Sequence, residues 1–138
     1  MFLFDTNSFK LLLQGNTAVV RRAQEHAGQL WLSSVAAEEL IAVHMNTMNK
    51  ARAPRTSLSL SRAHTDFVET LADLRSLPIL AFGEVAAQVY ATLPAKAIRS
   101  GSQDSRIAAQ ALAHGMTVIT RNISDFAAIG AAYADWSA

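Results

Sequence analysis

Five acidic residues stand where they could do chemistry together. Asp5 ends the apolar run Phe2, Leu3 and Phe4; Glu38 and Glu39 follow Ser33 and Ser34 closely; Asp104 opens an alanine-rich stretch; Asp125 comes just after the run Thr117 to Thr120. Carboxylates brought to one point repel and raise one another's pKa, so a cluster without matching Arg or Lys normally holds a cation. Oxygen donors of this kind suit Mg2+ or Mn2+. Such an ion polarises a phosphoryl oxygen and activates water, the equipment for phosphodiester hydrolysis. Each acid also has a plainer reading: Asp5, Asp104 and Asp125 fall near predicted helix starts as caps, and Glu38 and Glu39 suit a first helical turn.

The elements around these residues decide whether they meet. Phe2 to Phe4, Leu30 to Leu32, Ile79 to Phe82 and Thr117 to Thr120 read as four short buried strands, and Tyr133 to Ser137 as a short edge strand with Trp136 on the core. Between them, helices are expected over Ser8 to Leu13, Asn16 or Thr17 to His26, Val35 to Met48, Leu58 to Leu77, Glu84 to Tyr90, Gln103 to His114 and Phe126 to Ile129. Pro94 ends or kinks the fifth of these, Gly101 and Ser102 mark a break, and Gly115 closes the alanine-rich helix. Asn49 to Ser57, with Lys50, Arg52, Pro54 and Arg55, reads as the one sizeable loop. Strands alternating with helices argue for an α/β fold: a mostly parallel central sheet of four to five strands with helices on both faces. In such sheets ligands bind beyond the carboxyl ends of the strands, and Asp5, Glu38 or Glu39, Asp104 and Asp125 all fall at that edge.

Composition sets the outer bounds. A chain of 138 residues, 51% hydrophobic, suits one domain over 1–138. A formal net charge of +1 gives no extended electrostatic footprint, so any nucleic-acid contact must be local. The absence of cysteine excludes disulfides, thiolate metal sites and cysteine nucleophiles. The N-terminal apolar run stops at Asp5, and no later run approaches the ~20 apolar residues of a membrane span, so a soluble cytoplasmic protein is expected.

The motifs FLFDTN (Phe2 to Asn7), SSVAAEEL (Ser33 to Leu40), DSRIAAQAL (Asp104 to Leu112) and TRNISDF (Thr120 to Phe126) resemble, in order and spacing, the successive motifs of PIN-domain ribonucleases, specifically the VapC toxins of toxin–antitoxin pairs. The resemblance implies a PIN-like three-layer sandwich and an acidic quartet of Asp5, Glu39, Asp104 and Asp125 around Mg2+ or Mn2+. It selects Glu39 over Glu38, the fallback. Thr6, Asn7 and Thr120 match polar positions that orient carboxylates and metal waters, with helix capping an equal account of Asn7. The implied activity is endoribonucleolytic: a metal-activated water hydrolyses an RNA phosphodiester, leaving a 5′-phosphate and a 3′-hydroxyl. A cognate antitoxin covering the site and a homodimer through helical faces are implied with it, and the stripe Leu60, Ala63, Phe67, Leu71 and Leu74 is a candidate surface, although core burial suits most of it.

An RNA backbone needs positive charge beside an acidic centre. Lys96, Arg99 and Arg106 bracket Asp104, Arg121 follows Thr120, and Lys50, Arg52 and Arg55 punctuate the loop. Arg99, Arg106 and Arg121 are the candidate phosphate contacts, ordinary solvated surface being the alternative. His26, His44, His64 and His114 show no metal-ligand spacing. Two other classes fit less well. An aspartyl-nucleophile phosphohydrolase usually wants a second carboxylate two residues after the first, where Asn7 stands. A non-catalytic module of the same fold, binding RNA or protein, shares every element and differs only in chemistry.

Overall fold

A computed structural model of the chain describes residues 1–100 and 102–138, without the side chains of Arg99, Ser100 and Ser102. The expected break at Gly101 and the Arg99 contact therefore lie outside the described residues, and Ser102 already belongs to a helix. Five strands, β1 (Phe2–Phe4), β2 (Leu30–Ser33), β3 (Ile79–Leu80), β4 (Thr117–Ile119) and β5 (Tyr133–Ala134), form one sheet in the order β3-β2-β1-β4-β5. Every neighbouring pair is parallel, with Phe2 opposite both Leu30 and Thr117. The central strand is thus the one that delivers Asp5.

Strand alternation sends neighbouring side chains to opposite faces, and each face meets helices. On one side Phe4, Leu32 and Ile119 pack with Phe9, Val19, Ala36, Leu40, Leu74 and Trp136. These partners come from α1 (Thr6–Leu13), α2 (Thr17–Glu25), α3 (Ser34–Ala51), the end of α4 (Leu60–Asp73) and the C-terminal tail. On the other side Leu3 and Val118 pack with Ile107, Ala108, Ala111 and Phe126. Those belong to α7 (Ser102–His114) and α8 (Ile123–Ile129). The small alanines of α7 let it sit close on the sheet. The result is the expected three-layer arrangement, and no helix among the described residues is long and apolar enough to cross a membrane.

Side-chain caps set several helix starts: Asn16 accepts from Val19 N at 3.1 Å, Ser33 from Val35 N at 3.1 Å and Ser59 from Arg62 N at 3.1 Å. At the end of α7, Gly115 takes φ +63°, and Met116 N–H donates back to the Ala111 carbonyl at 2.9 Å. That left-handed turn favours glycine and lets the chain reverse into β4.

Several boundaries differ from the sequence reading. Helix α3 runs through Ala51, because Met48 and Ala51 are buried against Ala63 of α4, so the loop begins only at Arg52. Helix α4 is shorter than Leu58 to Leu77, starting after the Ser59 cap and ending at the Leu74 C-cap. Its stripe is split: Ala63 and Leu74 are buried and Phe67 partly covered, while Leu60 and Leu71 are exposed. Strand β3 stops at Leu80, since only Ile79 and Leu80 find partners on β2. After α5 (Glu84–Thr92), a further short helix, α6 (Ala95–Ser100), follows Pro94 where none was expected; Pro94 is tolerated because it precedes the first turn. Trp136 is buried and stacks on His26, as the tail reading required.

Candidate functional site

The parallel sheet brings the acids together by topology alone. Asp5 leaves β1, the segment Thr120 to Asp125 leaves β4 beside it, and Asp5 N donates to the Ile119 carbonyl at 3.2 Å, fixing the two strand ends to each other. Helix α3 starts at the same edge after β2 and carries Glu39 in its second turn. Helix α7 returns toward β4, so its N-terminal turn, with Asp104, lies at this edge too.

Asp5 is buried and caps α1, accepting from Ser8 N at 2.8 Å through one carboxylate oxygen, Oδ1. Capping and a site role are therefore compatible. Thr6 donates its hydroxyl to Glu39 Oε2 at 2.6 Å, which ties α1 to α3. Glu39 is half-buried at the centre, whereas its neighbour Glu38 is exposed. Asp104 and Asp125 are joined by one amide: Asn122 Nδ2 donates to Asp104 Oδ2 and to Asp125 Oδ2, each at 2.7 Å. Thr120, fully buried, accepts from Asn122 N at 2.9 Å through its hydroxyl and so seats that bridge.

The electrostatics record the crowding. Burial pushes the Asp104 carboxyl above its ordinary pKa; the Asn122 hydrogen bond pulls the other way, and repulsion from Asp5, Asp125 and Glu39 raises it further. All four expected acids thus share one electrostatic neighbourhood. Among the described residues no three acidic or histidine side chains close around a single point as direct ligands. The donor set still fits a hard divalent ion of the Mg2+ kind, which binds through one or two carboxylates and keeps the rest of its shell as water.

The basic residues divide. Arg121 is exposed beside the centre, where with Asn122 it lines an open groove of about 550 Å³; the Asp135 carboxyl is held below its ordinary value chiefly by the Ser137 hydroxyl, with the Arg121 charge a lesser help. Arg106 lies over the Tyr90 ring at 5.4 Å and donates to Gln103 Oε1 at 3.1 Å. Lys96 lines a hollow of about 420 Å³ that also reaches Asp125. Lys50 and Arg52 are not brought to this edge: α3 continues past Met48 and sets them roughly 16 Å or more along the helix from Glu39, and Arg55 follows in the turn beyond its end. His44 accepts or donates to Thr70 at 2.6 Å and His26 packs between Phe2 and Trp136, so both serve packing.

Two residues escaped the sequence reading. Asn122 reads as a helix start, yet its side chain makes no cap bond and bridges carboxylates instead. The signal was its place between Thr120 and Asp125. Gln110, fully buried in the middle of α7, accepts from the Ser33 hydroxyl and donates to the Leu80 carbonyl at 2.9 Å and to Ser34 Oγ at 3.2 Å. A lone glutamine among alanines gives no spacing from which to infer this.

The PIN domain family model matches residues 2–131. A search of curated proteins returns no match. Among solved structures the chain is similar to FitAcB from Neisseria gonorrhoeae, with 25% identity and a TM-score of 0.74 over 98% of this chain and 97% of that one. It is similar to a chain of FitAB bound to an IR36 DNA fragment, with 26% identity and a TM-score of 0.66 over 100% and 96% of the two chains. A toxin–antitoxin complex from Klebsiella pneumoniae shares the fold at 20% identity, with a TM-score of 0.63 over 92% and 91%. With its motifs in order, its five-stranded parallel sheet and a match across nearly its full length, the chain belongs to the PIN domain family.

Proposed function

We propose that this protein is a metal-dependent endoribonuclease that serves as the toxin of a toxin–antitoxin pair. The observation that carries the reading is the convergence of Asp5, Glu39, Asp104 and Asp125 on one sheet edge, where burial first, and then repulsion from the other three acids, raises the Asp104 pKa. Like charges held together at a cost to the folded chain are explained by a cation that relieves them.

In this reading Asp5, Asp104 and Asp125 hold Mg2+ or Mn2+ directly or through water, with Glu39 completing the set. A divalent ion bound there supplies a hydroxide-like nucleophile and neutralises charge on the scissile phosphate. Glu39, oriented by the Thr6 hydroxyl, positions the attacking water and takes its proton. Asn122 and Thr120 keep Asp104 and Asp125 at a fixed separation. Arg106 and Arg121 meet the RNA backbone. Cleavage in line leaves a 5′-phosphate and a 3′-hydroxyl. The likeness to toxin–antitoxin assemblies supports an antitoxin as partner; that it covers this edge, a homodimer through helical faces that includes the exposed Leu60 and Leu71, and a cytoplasmic site of action belong to the same proposal.

The test is Asp5→Asn. Asparagine caps a helix as well as aspartate does, so α1 keeps its start while the charge is lost. Sequencing of RNA ends after brief induction in cells should show cleavage falling by about 10²-fold or more relative to the parent, with unchanged circular dichroism. A folded Asp5→Asn protein with full activity overturns the assignment. Purification after co-expression with the product of the neighbouring gene tests the antitoxin, and absence of a complex counts against it.

A further inference from the structure

Helix α1 does more than begin at Asp5. Asn7, Lys10, Leu11 and Gln14 recur at three- and four-residue spacing, so they share one face, and together with Arg121 and Asn122 they line the groove of about 550 Å³. This face extends about 10 Å along the helix from Asn7 to Gln14. The groove and the carboxylate centre share Asn122, whose amide holds Asp104 and Asp125. Its lining is the reverse of the centre beside it: two cations, three amides, one apolar side chain and no carboxylate.

Lys10 has a plain account as a cation in the last turn of α1, where the helix dipole favours it. That account leaves unexplained why Arg121, from a different element, faces the same space. Resting on the reading proposed above, we infer that this groove is the binding site for the single-stranded RNA segment flanking the cut phosphate. Lys10 and Arg121 hold successive phosphates, Asn7 and Gln14 reach base edges with amides that both donate and accept, and Leu11 supplies the apolar contact beneath a base. The volume falls in the range of sites that enclose ligands of nucleotide size. A protein segment is the other occupant to weigh. It would be expected to anchor on buried aromatic or aliphatic pockets, and this lining offers Leu11 alone.

The experiment uses the full chain carrying Asp5→Asn, so that RNA is bound but not consumed, and a fluorescein-labelled random-sequence single-stranded RNA of twelve nucleotides. Adding Lys10→Gln and Arg121→Gln should weaken binding by about 10-fold or more at low salt and reduce the slope of log K against log salt by about 1.4, the loss of two phosphate contacts on a single strand. Arg75→Gln, exposed in the turn that enters β3 at the opposite edge of the sheet, should leave the slope unchanged. Gln14→Ala in the cleaving parent should alter the sequence preference of the cut ends. Unchanged affinity and slope in the double variant overturn the groove while leaving the nuclease reading intact. Retained RNA binding together with loss of the complex with the co-expressed neighbouring gene product overturns it in favour of a protein contact. A parent protein that neither cleaves nor binds RNA overturns both.

Discussion

Helix α7 carries two polar clusters that differ in kind. Gln110 sits in a buried, neutral set with Ser33, Ser34 and the Leu80 carbonyl, in which both ends of its amide find partners. Nearly two turns earlier, Asp104 belongs to a set of like charges whose shared neighbour is one amide, Asn122. Both sets join α7 to the elements around β2 and β4. The neutral set satisfies itself and asks for nothing more, as a structural polar cluster in a core must. In the charged set Asp104 carries a penalty, chiefly from burial, that a bound cation would relieve. That contrast, more than the presence of acids, separates a site from a scaffold.

The contrast breaks most visibly at Gln110. Gln110→Ala removes the partners of the Ser33 hydroxyl and the Leu80 carbonyl and opens a cavity in a fully buried position, so it should cost about 2–4 kcal/mol. Thermal denaturation should show a fall of roughly 10 °C. Gln110→Met, which keeps most of the volume, should recover only the cavity part. Cleavage per folded molecule should survive at low temperature. Loss of cleavage in a folded Gln110→Ala protein as deep as in Asp5→Asn would erase the distinction between the clusters.

The two clusters were unequally legible in the sequence, for a physical reason. Asp5 and Asp125 are ionisable and closely follow strands, so type and position announce them; Asp104 enters through the helix that returns to β4, and Glu39 was preferred to Glu38 only by the family resemblance. Starts at Asn16 and beside Ser33 were readable because a cap acts within three residues, whereas the Ser59 cap was passed over and the helix expected from Leu58. Gln110 is not, because its partners lie 30 to 77 residues away and nothing local requires it. The extension of α3 to Ala51 depends likewise on Ala63, a distant partner, and β3 is cut short by how few residues β2 offers it. Local chemistry is written locally; tertiary satisfaction is not. Asn122 falls between, local in position but with a role that only the convergence of α7 and α8 creates.

Asn122→Ala sharpens the comparison from the charged side. Without the bridging amide, Asp104 and Asp125 lose the donor that holds them at a common distance, and activity and metal affinity should fall about 10- to 100-fold, the usual effect of removing a group that orients metal-binding carboxylates. Stability should change little, since Asn122 is exposed and makes no side-chain cap bond. Titration calorimetry with Mn2+ and cleavage assays give the two readouts. An Asn122→Ala protein with parental metal affinity would show that the carboxylates hold their places unaided.

The smallest effect is the most diagnostic of charge held against folding. The Asp104 carboxyl is raised above its ordinary value of 3.8 by burial and by its acidic neighbours. The folded chain therefore keeps this proton when the unfolded chain has lost it, and stability falls as pH rises from the ordinary value through the raised one. Above that window the whole penalty stands. Asp104→Asn removes the charge yet still offers an oxygen to Asn122 Nδ2, so in chelator near pH 7 the variant should melt higher than the parent, about 4 °C for each kcal/mol relieved. The gain should vanish below pH 3.8, where both chains are neutral at this position. Asp135, whose carboxyl is lowered chiefly by the Ser137 hydroxyl, provides the opposite sign: Asp135→Asn should be slightly destabilising at neutral pH, the difference shrinking as the medium becomes acid. If Asp104→Asn instead lowers the melting temperature in chelator, the acids at this edge are held by favourable interactions of their own, and the charge they present is no longer a reason to expect an ion.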